Sequence, residues 1–118
     1  MENPFENLDK ETQMKIQEAQ MLEQNFQQLL QQKQMFSMEL NETDFALKEL
    51  ETAGEEVFKI VGGQIVIKTD KKKLTEELGH KNELIRKRLT SIDNQEKDFS
   101  EKLDALREEI MAKISDKE

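Results

Sequence analysis

The sequence predicts a mainly α-helical chain, a long antiparallel two-helix coiled coil with a single β-hairpin at its bend. Three observations lead there. A 3–4 spacing of apolar residues runs through the first half, and a strict seven-residue spacing runs through the second. Between them, Val57–Thr69 (V-F-K-I-V-G-G-Q-I-V-I-K-T) is the one stretch that reads as β-structure. With four glycines and one proline in 118 residues, the chain has few other places to turn.

The first helix is expected over about residues 4–53. Asn3 can cap it, Pro4 suits the first helical position, and Glu6 can reach back to the cap. Its seam reads Leu8, Thr12, Lys15, Ala19, Leu22, Phe26, Leu29, Lys33, Phe36, Leu40, Thr43, Leu47, Leu50, with nine of thirteen positions apolar. Gln occupies nine of the 22 positions from Gln13 to Gln34, a good helix former that adds no charge. Ala53-Gly54 is expected to supply the stop.

The hairpin is expected over about 57–69. Gly62-Gly63 suits a type I′ turn, because both central residues need positive φ. A two-residue turn would oppose Val61 to Gln64, Ile60 to Ile65, Lys59 to Val66 and Phe58 to Ile67. One face would then carry Phe58, Ile60, Ile65 and Ile67, all apolar. A lone two-stranded hairpin is marginal in water and leaves two unpaired edges. With no third strand in the sequence, those edges must be completed by other copies or other chains.

The second helix is expected over about 70–116, capped by Thr69 or Asp70. Lys71, Lys72 and Lys73 in its first turn oppose the helix dipole, which suggests a charge partner. Its seam reads Leu78, Ile85, Ile92, Phe99 and Leu106, interleaved with Leu89, Leu103 and Ile110. Acid-then-base pairs at i, i+4 (Glu77–Lys81, Glu83–Lys87, Asp93–Lys97, Asp98–Lys102, Glu109–Lys113) are each worth about 0.2–0.5 kcal/mol on an exposed face. Gly79 is a weak spot, costing about 1 kcal/mol against Ala.

Folding the chain back about Gly62-Gly63 pairs positions whose numbers sum to 125. Leu22 then meets Leu103, Phe26 meets Phe99, Phe36 meets Leu89, Leu40 meets Ile85 and Leu47 meets Leu78. Polar Thr43 meets polar Asn82. Lys33 opposite Ile92 and Leu29 opposite Glu96 are the misfits.

Composition restricts the function. Hydrophobic residues make up 35% and charged residues 37%, thin for a globular core but ordinary for long helices, and the length implies a single domain over 1–118. The net charge of −8 arises entirely within residues 1–70, which hold 6 basic and 14 acidic side chains. Such a chain is a poor candidate for nucleic acid or an anionic membrane. Without cysteine it has neither disulfides nor a thiolate site. No signal peptide or membrane span is expected, so the expected compartment is cytoplasmic.

An enzyme is not expected, and no cofactor or metal. His80 is the one histidine and reads as a solvated or packing residue, and helical carboxylates face lysines. Gly62-Gly63 lacks the G-K-[ST] of a phosphate loop. The informative surplus is apolar residues off the seam. Phe5, Met14, Ile16 and Met21 lie near the start of the first helix, Met111 and Ile114 near the end of the second. Their bland reading is flank packing, the stronger one for Met21. Their functional reading is an adaptable apolar patch, to which flexible Met is suited. Met35, Met38 and Phe45 read as packing or interface.

The hairpin V-F-K-I-V-G-G-Q-I-V-I-K between two equally long helices, with the Gln31-Gln32-Lys33 stretch, resembles the beta-class prefoldin family of archaea and its eukaryotic counterparts. The resemblance covers essentially the whole chain, and Phe58–Lys68 is its most specific part. It implies a hetero-hexamer of two alpha and four beta subunits, with hairpins assembling into an inter-subunit β-barrel built here from Phe58, Ile60, Val61, Gly62, Gly63, Ile65, Val66 and Ile67. It implies an ATP-independent molecular chaperone that captures non-native proteins at coiled-coil tips and delivers them to a group II chaperonin. Phe5, Leu8, Met14, Ile16, Ile110, Met111 and Ile114 would meet these clients. The alternative is a structural or adaptor coiled coil that binds one specific folded partner.

Overall fold

The computed structural model describes residues 9–116. Helix α1 is Lys10–Glu51, strand β1 is Glu56–Val61, strand β2 is Ile65–Asp70 and helix α2 is Lys71–Asp116. The two strands form a two-stranded antiparallel sheet. Among the described residues no helix is long and apolar enough to cross a membrane.

The chain divides into two compact units. The first joins α1 up to Gln32 with α2 from Ile92. Asp9 caps α1 here, its Oδ1 accepting the Thr12 N–H at 2.7 Å while its carbonyl accepts from Gln13. The expected start at Asn3-Pro4 lies outside the described residues. Leu29, Ile92 and Leu103 are buried, and Leu22, Phe26, Phe99 and Leu106 are half-buried beside them. Ion pairs flank this seam in antiparallel order. Lys113 meets Asp9 at 3.8 Å, Lys15 meets Glu109 at 3.1 Å and Arg107 meets Glu23. Glu109 thus reaches across to α1 to find a base. Pairs as exposed as these are worth about 0–1 kcal/mol each and chiefly help set alignment.

The second unit is Lys33–Ser91 and holds the hairpin. Leu50, Leu74 and Ile85 form its buried apolar core, and Arg88 lies over the Phe36 ring at 6.0 Å. Two polar residues, Thr43 and Asn82, are buried on the same seam. The Asn82 amide donates to Thr43 Oγ1 at 3.1 Å and to Asp44 Oδ1 at 2.6 Å. Arg86 Nε donates to Asn82 Oδ1 at 2.8 Å and Arg86 Nη2 reaches the Asp44 carboxylate. The expected meeting of Thr43 with Asn82 therefore occurs as a hydrogen bond. Among the described residues no buried side-chain polar atom lacks a partner.

The joints differ from expectation in instructive ways. α1 ends through i→i+3 bonds, Thr52 N–H to Glu49 and Ala53 N–H to Leu50. Gly54 does not take the left-handed conformation expected of a glycine stop, since among the described residues positive φ occurs only at Gly62 and Gly63. One orphan carbonyl of the helix end is met from α2: Lys71 Nζ donates to Glu51 O at 3.3 Å, and also to Ala53 O at 3.2 Å just beyond the helix. That is the partner the first-turn lysines suggested. It is a helix C-terminus and not an acidic side chain. Asp70 caps α2, accepting the Lys73 N–H at 2.7 Å, while Thr69 stays in the ladder opposite Val57.

The hairpin register is displaced by one residue from the expected one. Val61 pairs with Ile65, Ile60 with Val66, Lys59 with Ile67 and Phe58 with Lys68. Gly62 and Gly63 do take positive φ, 65° and 77°, but Gln64 joins them in a three-residue loop. The base of the hairpin imposes this. The Lys71 N–H bonds Glu55 O at 2.9 Å, and Glu56 pairs with Asp70, the residue that caps α2. Counting up the ladder from that anchor leaves three residues for the loop. A one-residue slip moves every side chain of one strand to the other face. The expected all-apolar face of Phe58, Ile60, Ile65 and Ile67 is accordingly split.

Candidate functional site

The hairpin presents two half-apolar faces. Phe58, Ile60 and Val66 share one with Lys68, Glu56 and Asp70, by the alternation of paired strands. Val57, Val61, Ile65 and Ile67 share the other with Lys59 and Thr69. The second face leans on α2: Lys59 Nζ reaches both carboxylate oxygens of Glu77 at 3.2 Å, and Val57, Lys59 and Thr69 are half-buried. Glu77 serves this contact across the fold, beyond the lysine expected one turn along. The first face is the more open: among the described residues only the Phe58 end borders helix residues, across a groove beside Phe45 and Leu50. Phe58 is 59% exposed, Ile60 69% and Val66 62%. Val61, Ile65 and Ile67 are exposed as well.

This arrangement has a plain physical consequence. Burying a side chain of this size stabilises by about 1.5–3 kcal/mol, and six of them stand open on a sheet whose two edges no described residue pairs. Monomeric proteins seldom expose a contiguous patch of this kind without a partner for it. The expected joint residues are therefore gathered on one element and available for association.

The expected client-facing residues fall into three groups. Phe5 and Leu8 lie outside the described residues. Met14 and Met111 are exposed, whereas Ile16, Ile110 and Ile114 are half-buried. Met14 and Met111 flank the Lys15–Glu109 ion pair, one residue before Lys15 on α1 and two after Glu109 on α2. The Glu109 carboxylate, by hydrogen bond and charge, raises the Lys15 ammonium above its ordinary pKa, with Glu11 and Asp9 adding to it. The two exposed methionines thus sit beside this ion pair in the sequence of each helix.

Met21 is exposed, where flank packing was the stronger expectation. Met35, Met38 and Phe45 are exposed too, so packing within the chain does not explain them. Phe45 is the residue the periodicity undervalued. An aromatic side chain off the seam, twelve residues before the hairpin, was the available signal. The Asp44–Arg86 arm of the buried polar cluster was also missed, since nothing in the seam spacing points to flanking positions.

Among the described residues no three His, Cys, Asp or Glu side chains converge on a metal-sized site. His80 is exposed on α2.

Comparison with known proteins agrees with the geometry. The family described as "Prefoldin subunit" matches residues 13–117. A prefoldin subunit beta of Thermococcus onnurineus is 35% identical over 112 residues, covering 93% of this chain and 96% of that protein. One from Pyrococcus horikoshii is 32% identical over 112 residues, covering 93% and 95%. The crystal structure of the prefoldin beta subunit from Thermococcus strain KS-1 superposes with a TM-score of 0.79 at 34% identity, over 90% of this chain and 94% of that one. On its fold, its exposed hairpin and these likenesses together, the chain belongs to the prefoldin subunit family, in its beta class, and is a chaperone subunit.

Proposed function

We propose that the chain is the beta-type subunit of an ATP-independent holdase, a hetero-hexamer of two alpha and four beta subunits whose hairpins close into a shared β-barrel. The observation that carries this is the hairpin with Phe58, Ile60, Val61, Ile65, Val66 and Ile67 exposed. Closure into a barrel is the arrangement that removes sheet edges altogether. Helix ends are then left to hold non-native proteins through flexible apolar groups, Met14 and Met111 foremost, with Ile16, Ile110 and Ile114 partly available. Several weak grips on one client combine into useful affinity while each releases readily, which suits transfer onward to a group II chaperonin.

The test is protection of two unrelated denaturing clients, followed by light scattering, with and without an alpha-type subunit. Removing residues 1–15 and 107–118 is expected to abolish protection while assembly persists. Unchanged protection after that truncation would remove the assignment of the helix ends. A structural adaptor would instead bind one folded partner at fixed stoichiometry and suppress neither client's aggregation.

A further inference from the structure

At the base of the hairpin lies an apolar groove of about 510 Å³ that no described residue of the chain fills. Its walls include Phe45 and Leu50 of α1, Val57 and Phe58 of β1, and Leu74 and Leu78 of α2. Glu49 is the one ionisable residue that lines it. Phe45 is 66% exposed at its edge. We propose that this groove receives the hairpin loop and adjoining strand ends, Ile60–Ile67, of a second copy of this chain.

The chemistry of the two surfaces matches. In a chain that is 37% charged, the eight residues Ile60-Val61-Gly62-Gly63-Gln64-Ile65-Val66-Ile67 carry no ionisable group. Five of them are exposed branched aliphatics, the shape of side chain that fills a groove between helix and strand. Seating them against Phe45 buries apolar area on both sides without stranding a charge. The chain cannot satisfy this by itself. β1 runs extended from Phe58, at about 3.3 Å per residue, and its ladder with β2 holds the loop some three residues away from the groove.

Knob and hole on different parts of one chain make a head-to-tail contact, the kind that builds a closed ring where the rotation between copies closes. The groove also runs into the proposed barrel surface, because Val57 and Phe58 belong to both. The inference rests on the assembly proposed above and adds to it a second, side-chain contact beyond strand pairing.

The chain has no cysteine, which allows a clean cross-linking test. Phe45→Cys and Ile65→Cys are introduced into separately tagged populations, mixed, and assembled with a cysteine-free alpha-type subunit. Under mild oxidation a disulfide between the two tags is expected, since it forms only when the Cα atoms approach to about 4.4–6.8 Å. Met38→Cys, seven residues earlier on α1 and outside the groove, is expected not to form one with Ile65→Cys. Phe45→Ser is expected to leave the helical circular dichroism unchanged and to speed subunit exchange roughly tenfold.

An assembly of normal mass without the 45–65 disulfide, or with an equally efficient 38–65 disulfide, overturns the groove contact alone. Failure of the unmodified chain to assemble with any prefoldin subunit overturns the proposed function and this inference with it.

Discussion

The side-chain amide of Asn82 hydrogen-bonds to the buried hydroxyl of Thr43 at 3.1 Å, joining α1 to α2 in the unit that carries the hairpin. Asp44 and Arg86 complete the cluster from the solvent side. A polar pair on an apolar seam selects one alignment, because any slide along the seam strands both groups among aliphatic side chains.

Replacing Asn82 alone, as Asn82→Ala, is therefore expected to cost about 1–3 kcal/mol. The double change Thr43→Val with Asn82→Leu is expected to recover most of that, since well-packed apolar replacements of buried polar groups are often neutral or stabilising. Thermal denaturation measures both. Distances between spin labels on the two helices should broaden in the double variant, showing lost alignment. A double variant that is as unstable as Asn82→Ala, with one sharp distance, contradicts the alignment role.

Lys71 is expected to matter where its neighbours do not. Its ammonium meets the carbonyls of Glu51, the last residue of α1, and of Ala53 just beyond it, so Lys71→Met should destabilise by about 0.5–1.5 kcal/mol. Lys72→Met and Lys73→Met, each removing a positive charge from the positive end of a helix, should be neutral or slightly stabilising. Equal losses for all three in denaturant titrations would show that general charge, and not the carbonyl contact, is responsible.

Gly79 sits in the interior of α2, and apart from its own stretch of helix no described atom lies within 4 Å of where a Cβ would stand. Gly79→Ala is expected to stabilise by about 0.5–1 kcal/mol, by restricting the unfolded chain and favouring the helix. A lowered denaturation midpoint would mean that another subunit approaches this glycine in the assembly.

Ile60→Ser with Val66→Ser, a cross-strand pair on the uncovered face, should abolish assembly yet leave helix content intact. Size by light scattering and circular dichroism read the two separately. Retention of full-size assemblies would place the joint elsewhere.

Met14→Ser with Met111→Ser should leave assembly unchanged and weaken client protection several-fold, through loss of two apolar grips per subunit repeated around the complex. Met21→Ser, on an equally exposed residue farther along α1, should have a smaller effect. Equal effects at all three positions would show that clients contact the length of the helix.

Much of this architecture was legible in one dimension. The two seams and the antiparallel pairing that brings Thr43 to Asn82 follow from spacing and residue type, because helical periodicity is a local property and a buried seam has one cheap alignment. Residue type narrows the cap of α2 to Thr69 or Asp70, and the structure chooses Asp70. The hairpin's existence was equally plain from β-branched residues around Gly62-Gly63. The family resemblance carried by Phe58–Lys68 agrees with the match over residues 13–117.

What the sequence determined by itself is two long helices with matching seams about a solitary hairpin, since folding back at that hairpin lets each seam bury the other. Only the tertiary structure decided how the hairpin is strung between them. Gly-Gly-Gln accommodates a loop of two residues or three, and the choice is made at the base, where Lys71 bonds Glu55 and Asp70 turns to cap α2. That anchor joins residues far apart in the chain, so no local pattern announces it. The register it belongs to sets which apolar side chains share a face of the sheet.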